Sequence, residues 1–520
     1  MRRRDFLRAV APVTMLGGFR LDALSRLPFM GMMPGAVDNN HVLVLVQLVG
    51  GNDSLNTVIP LEHFGDYMGA RSNIAIPQGK VLPLEKNLKN GFHPSLTGLQ
   101  AMYNNDQLAV IQSVGYPDAD GSHFRATDVW LEGADEDQLL TTGWVGRFLS
   151  DTYANFPAGY PNAEMPDPLG IQIGSVISPV FQATVGTTAM AVPSDTEFYN
   201  LINGITEPEP DTPMGNELTY LRSVARQTNK YAANITAAAK KVTQQQPYPD
   251  TQLAAQLKTV ARLIAGGLKT RVYYVTASGF FDTHGGQVNP GDPATGQHAT
   301  LLKDLSDSIS AFTNDCKFLG INKQVLGMTF SEFGRRIASN GSFGTDHGAA
   351  QAVFVFGDYA QTGVLGNNPD LSGLNSQSNI PMQYDFRSVY SSILRDWFCI
   401  SATDVSTMLF KDYQYLPFLK TTACNNTYSD LNGLGDSLIT NSPNPFTSST
   451  RISFKTAGGH TLVQIFNALG RIVLVPVDQD YTAGTWSVTV DTSRLAAGVY
   501  YARFQNQSVQ QVRTLLKVRG

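Results

Sequence analysis

Hydrophobic positions in this chain follow two regimes. From Val42 to Val46 they run unbroken, and after Gln47 they resume with Leu48 and Val49. A β-branched and aliphatic run of this kind suits a strand buried on both faces of a parallel sheet. It stops at Gly50-Gly51-Asn52-Asp53-Ser54, residues that favour a turn. Comparable runs recur at Leu108 to Val114, Arg271 to Thr276, Gln324 to Phe330 and Ala352 to Phe356. Between them the spacing changes. Leu253, Leu257, Val260, Leu263, Ile264 and Leu268 return every three or four residues, which puts them on one side of a helix. Helical patterns also span Leu218 to Lys241, His298 to Leu319 and Val389 to Phe398. Strands alternating with helices predict a doubly wound α/β domain over residues 41–430, with its chemistry at the carboxyl ends of the strands.

The second regime begins beyond Leu431. Residues 431–442 are rich in Gly, Ser and Asn and read as a linker. Short alternating segments come next, at Arg451 to Lys455, Thr461 to Asn467, Arg471 to Val477, Thr485 to Val490, Val499 to Gln505 and Val509 to Val518. Closely spaced strands with no helix between them predict an all-β sandwich over residues 443–520.

Composition narrows the class without naming it. Of 520 residues, 42% are hydrophobic and 16% charged, ample for a large core, and the formal net charge of −5 gives no reason to expect nucleic acid or anionic lipid as a partner. The Val42 to Val49 run is too short for the ~20 apolar residues that span a bilayer, so an integral membrane protein is not expected. Cys399 and Cys424 have the option of pairing in an oxidising compartment, but the expectation is that both stay free and buried, because a core of this size needs no staple.

The N-terminus begins Arg2-Arg3-Arg4-Asp5-Phe6-Leu7-Arg8 and continues into the mildly apolar stretch from Ala9 to Phe19. A basic segment before a short apolar one is an export signal, assigned to residues 1–36. The arginine pair with Phe-Leu close behind it resembles the twin-arginine motif, which implies the twin-arginine translocase as a partner and passage through the periplasm.

Ionisable residues gather where the predicted strands end. Asp53 comes after the first, Ser122 and His123 after the second, Asp282 and His284 after the third and Glu332 after the fourth, with Asp346 and His347 one loop later. Carboxylates and imidazoles arriving from several strand ends are what a divalent cation requires, since each ligand must approach from its own direction. Each residue also has a plainer reading. Ser122 suits a helix N-cap, Asp53 a turn, and Glu332 an ion pair with Arg335 or Arg336.

Six segments resemble the domain-of-unknown-function 1501 family of exported proteins, related to the alkaline-phosphatase and sulfatase superfamily. They are Gly50-Gly51-Asn52-Asp53 through Asn56; Ser122-His123-Phe124 with Trp130; Gly143-Trp144-Val145-Gly146-Arg147; Asp282-Thr283-His284; Ser331-Glu332-Phe333-Gly334-Arg335; and Gly344-Thr345-Asp346-His347-Gly348. The resemblance implies a doubly wound, mostly parallel sheet of alkaline-phosphatase-like type. It also implies hydrolysis of a phosphate or sulfate ester by Ser122 with one or two divalent metal ions, such as Zn. By chain order Asp53 and Glu332 would hold one ion and Asp282, His284 and His347 the other, with Asp346 a ligand or a support for His347. Asn56, His123, Arg125, His298 and Arg335 would line the site. The chain departs from the superfamily at Phe333, where a histidine is usual, and in the close spacing of Asp282 and His284, which leaves one ion or two open. The alternative is a non-catalytic envelope protein that uses the same fold for binding.

The C-terminal segment resembles the sorting domain of type IX secretion. The match lies in Pro443-Asn444-Pro445-Phe446, Thr450, Ile452, Val463 to Gly470, Leu495, Gly498 and Tyr500. It implies the type IX secretion machinery as a partner and a destination at the cell surface or outside the cell.

Overall fold

The computed structural model describes residues 40–119, 121–153, 155–192, 231–372, 378–420, 439–456, 458–467, 471–482, 484–506 and 509–518. The export signal, residues 218–230 of the helix predicted at Leu218 to Lys241, and residues 431–438 of the predicted linker lie outside them. Residues 231–241 are helical. The chain divides into two compact units, with the boundary between Asn426 and Thr427.

One unit is built on a nine-stranded sheet: β1 (Val42–Gln47), β2 (Leu108–Gly115), β3 (Gly170–Ile173), β4 (Ala189–Val192), β5 (Val272–Thr276), β6 (Val325–Phe330), β7 (Gln351–Phe356), β8 (Gly363–Leu365) and β9 (Tyr384–Asp385). The order is β8-β2-β7-β6-β1-β5-β3-β4, with β9 beside β2. Only β7 runs against its neighbours β6 and β2. The sheet is therefore mostly parallel, and β1, β5 and β6 end together at one edge. Because β7 is reversed, that same edge receives its beginning, and with it the loop that carries Asp346 and His347.

Helices cover both faces: α1 (Thr97–Asn104), α2 (His123–Glu132), α3 (Trp144–Thr152), α4 (Gln252–Ala265), α5 (Gln297–Phe318) and α6 (Phe386–Asp396). Successive residues of β1 point to opposite faces. Val42, Val44 and Val46 share a core with Leu257 and Val260 of α4 and Leu302 and Ile309 of α5. Leu43 and Leu45 share the other with Val129 and Trp130 of α2, Phe148 of α3 and Ile393 of α6. A strand in the middle layer has no wet face, which is why its sequence does not alternate. Each such side chain contributes about 1.5–3 kcal/mol by leaving water.

The other unit holds β10 (Ile439–Ser442), β11 (Ser449–Thr456), β12 (Gly459–Asn467), β13 (Ile472–Tyr481), β14 (Gly484–Asp491), β15 (Gly498–Asn506) and β16 (Val509–Lys517). They form two antiparallel sheets, β10-β11-β14 and β13-β12-β15-β16. Ile452, Phe454, Val463, Ile465, Ala502 and Phe504 fill one shared core.

Two expectations are corrected. Residues 439–442, read as linker, pair with Arg451 to Phe454, and Ile439 is buried in the core. A single aliphatic residue among Thr, Asn and Ser is too weak a signal for a strand, but one buried anchor and a neighbour's backbone suffice to make one. Cys399 is disulfide-bonded, whereas a free thiol was expected; Cys316 is free and buried. The size of the core removed the need for a staple and did not prevent one.

Candidate metal centre

The site depends on close approach of three strand ends. Beyond β1, Gly50 has φ +114°, and a Cβ there would lie 2.4 Å from the backbone nitrogen of Asp282. Gly51 has φ +79°, and its Cβ would lie 2.5 Å from the ring of Phe333. Only glycine lets the loops after β1, β5 and β6 close to this distance. The Gly50 N–H then donates to Glu332 Oε1 at 2.8 Å.

Three histidines converge in the resulting cleft, each with its Nδ1 turned to an oxygen. His123 Nδ1 lies 2.6 Å from Glu332 Oε1, His284 Nδ1 3.3 Å from Asp346 Oδ1, and His347 Nδ1 2.7 Å from the Gly121 carbonyl. Carbonyl and carboxylate oxygens accept only, so each Nδ1 carries a hydrogen, and a ring that is neutral then keeps its lone pair on Nε2. The Nε2 atoms face one another. His284 Nε2 and His347 Nε2 are 2.8 Å apart, and Asp282 Oδ1 lies 3.1 Å from the first and 3.2 Å from the second. His123 Nε2 is 3.5 Å from Asp282 Oδ2 and has no hydrogen-bond partner among the described residues.

Two neutral Nε2 atoms so placed repel unless a proton or a metal cation lies between them. Tetrahedral Zn with bonds of ~2.0–2.1 Å would hold its ligand atoms ~3.4 Å apart, close to the separations here. Ligand atoms of His123, Asp282 and His347 all fall within 4.8 Å of one another. Nitrogen and carboxylate donors suit a borderline cation such as Zn, so the residues fit such an ion.

The surroundings set protonation. Burial lowers the pKa of His347 from its ordinary value, despite the Gly121 carbonyl, which keeps the ring neutral. His123 is raised, chiefly by its hydrogen bond to Glu332. Burial works against charge on Asp282, but the Arg335 guanidinium, 2.5 Å from Oδ1, outweighs it and holds the pKa low. Arg335 is itself fully buried, donating to the carbonyls of Gly50, Gly51 and Thr345.

The remaining expected residues lie elsewhere. Asp53 occupies the N-cap position of the short helix Ser54–Thr57, but its carboxylate makes no cap bond. Instead it is fully buried against Arg71, whose Nη1 lies 2.9 and 2.7 Å from the two oxygens, and Gln287 donates to Oδ2 at 2.6 Å. Burial would raise its pKa; the Arg71 charge prevails and lowers it. Glu332 supports His123. Asn56 accepts from Arg71 at 3.0 Å, and His298 sits beside Asn52 at 2.9 Å, its pKa pressed by burial to about 4. Arg125 points away, holding the carbonyls of Asp135, Glu136 and Gln138. Ser122 caps α2, accepting from the Arg125 N–H at 3.4 Å. It is flanked by Gly121, whose carbonyl holds His347, and by His123.

Arg71, Gln287 and the packing of Phe333 escaped sequence reading. A buried aspartate requires a cation, yet nothing in the chain says which arginine supplies it. Phe333 packs with its ring 4.8 Å from both His123 and His347 and so forms an apolar wall to the cleft.

Residues 188–394 match a family described as a protein of unknown function, DUF1501, and residues 442–518 match the secretion system C-terminal sorting domain. The first match contains Asp282, His284, Glu332 and His347; Asp53 and His123 precede it. No curated protein matches the sequence. Among solved structures, PorZ, a surface component of the type IX secretion system of Porphyromonas gingivalis, is 18% identical with a TM-score of 0.14, over 20% of this chain and 13% of that one. A protein from the glycosaminoglycan metabolism of Bacteroides thetaiotaomicron is 10% identical with a TM-score of 0.35, covering 87% of this chain and 90% of that one. The PsFucS1 sulfatase of Pseudoalteromonas is 12% identical with a TM-score of 0.33, over 92% and 89%. The sorting domain implies export to the cell surface or beyond by the secretion machinery that reads it. No described helix is long and apolar enough to cross a membrane. The chain carries a DUF1501 domain and, after it, a type IX secretion sorting domain.

Proposed function

We propose that this protein is an exported, metal-dependent hydrolase of phosphate or sulfate esters. The observation that carries the reading is the 2.8 Å approach of the two imidazole nitrogens of His284 and His347 beside the Asp282 carboxylate. His123, Asp282, His284 and His347 would hold a divalent ion. When bound, such an ion polarises an ester oxygen and neutralises the charge that develops in the transition state.

The protein's own groups do the positioning. Arg335 fixes Asp282. Glu332, the Gly121 carbonyl and Asp346 keep hydrogens on the Nδ1 atoms, so that every Nε2 faces the cleft. Ser122, held between Gly121 and His123, is the candidate nucleophile. Phe333 and Phe280, the latter with its ring 5.7 Å from His123, keep water from part of the cleft.

The purified mature chain, assayed with nitrophenyl phosphate and nitrophenyl sulfate with and without chelator, tests the reading. Turnover that chelator abolishes and Zn or Mn restores is the expected result. A metal-bound protein inert to both esters would support the second reading, a binding protein, which the N-cap role of Ser122 favours. Export itself is proposed to use the twin-arginine route through the periplasm, in keeping with the disulfide at Cys399. Replacing Arg3 and Arg4 together by Lys should then block it, because that receptor reads guanidinium groups and not charge alone; unchanged export would point to a general secretory signal.

A further inference from the structure

We infer that the site takes one divalent ion and not two, with the Arg71 guanidinium standing as a permanent cation at Asp53. The inference rests on the metal-centre reading above and concerns how many ions the carboxylates of this edge are free to hold.

Asp53 and Glu332 are the two acids that family resemblance assigns to one ion of a pair. Both are engaged by hydrogens of the protein. The Asp53 oxygens accept from Arg71 Nη1 and from Gln287 Nε2, and both partners of the ion pair have no exposed side-chain surface. Arg71 is not a movable plug. Its Nε donates to the Ile337 carbonyl at 3.0 Å, its Nη2 to the Arg336 carbonyl at 2.8 Å, and Nη1 also to Asn56. Glu332 Oε1 accepts from the Gly50 N–H and from His123, and Oε2 lies 3.0 Å from the Ser331 hydroxyl. An ion entering here would meet an ion pair already neutral and out of reach of water, where excess charge is costly.

The histidine layer differs, although Asp282 Oδ1 also accepts from an arginine, Arg335. The Nε2 atoms of His284 and His347 lie against each other and against Asp282, and the layer's side chains are 22% (Asp282), 25% (His123, His347) and 46% (His284) exposed, so water screens an added charge.

The test is Zn content and Zn affinity of the mature full-length chain, by elemental analysis after dialysis and by titration calorimetry. One equivalent is expected in the wild type. Asp53→Asn, and the paired change Asp53→Asn with Arg71→Met that removes both charges together, should keep that equivalent at unchanged affinity. Asp282→Asn and His347→Ala should weaken it by at least ~100-fold. Two equivalents in the wild type, or loss of the ion from the Asp53 variants, would overturn the inference while leaving a metal-dependent hydrolase in place. Should the Asp53 variants not fold, the wild-type count decides alone. No bound Zn in the wild type would remove the metal-centre reading itself.

Discussion

Asp53 and Asp282 invite comparison because each lies beyond a central parallel strand at the same remove: β1 ends at Gln47 and β5 at Thr276, so both acids lie six residues on. Their environments are opposite. Asp53 is sealed against a guanidinium and an amide, and nothing there is left to bind. Asp282 also has an arginine, Arg335, but its other neighbours are imidazole nitrogens with lone pairs to give. One strand end thus became a structural ion pair and the other a cation-seeking cluster. Position at the carboxyl edge confers opportunity; the partner decides use.

Removing the charge partner in the sealed layer should have the largest effect. Arg71→Ala leaves Asp53 buried and uncompensated, at a cost of about 3–5 kcal/mol in denaturant unfolding. A cost near zero would mean that Asp53 reaches solvent or a metal ion after all, and the contrast would collapse.

Acid should strain the same layer next. His298 has a folded pKa of about 4, below the ordinary 6.5, because burial opposes its charge. The unfolded chain therefore takes up a proton first, and stability should fall as the pH drops from about 6.5 to about 4. The loss is on the order of 3 kcal/mol for this residue at the lower limit. His298→Gln should flatten the profile in that window, and an unchanged slope would show that His298 is not buried neutral.

Ser122 tests the border between the layers. Ser122→Ala should cost about 1 kcal/mol through loss of the α2 cap, and should abolish ester turnover while metal stays bound. Full activity in that variant would assign the hydroxyl to capping alone.

The smallest effect on the apoprotein should come from the cluster. In chelator, His347→Ala should unfold within ~0.5 kcal/mol of the wild type, since a partly exposed side chain packs little. Added Zn should raise the wild-type midpoint and not that of the variant. A large apoprotein loss would make His347 a packing residue and sharpen the contrast in the other direction.

Much of this was legible along the chain. The run from Val42 reads as a doubly buried strand because both faces are dry, and the α4 stripe reads as a helix because one face is. Ser122 reads as an N-cap from its residue type and from the helical segment that starts at His123. β3 and β4 are not visible in the sequence because strands of four residues carry little periodicity, and β10 because its composition resembles a linker. At the site, the motifs located His123, Asp282, His284, Glu332 and His347 near one edge, and the structure does gather them there. They did not separate the residues whose lone pairs face the cleft from Glu332, which supports His123.

Local periodicity and short contiguous motifs were enough for the two folds, for the edge of the sheet where ionisable groups collect, and for the sorting domain, because each of these is written in neighbouring residues. Which acid lies beside imidazole nitrogens and which is sealed against an arginine and an amide was settled by packing alone. Arg71 is 18 residues from Asp53 and 266 from Ile337, and the pairing of the two ring nitrogens spans 63 residues. Partner choice in a buried cluster is set by which charges the packed backbone brings within a few ångströms, and no pattern along the chain encodes that distance.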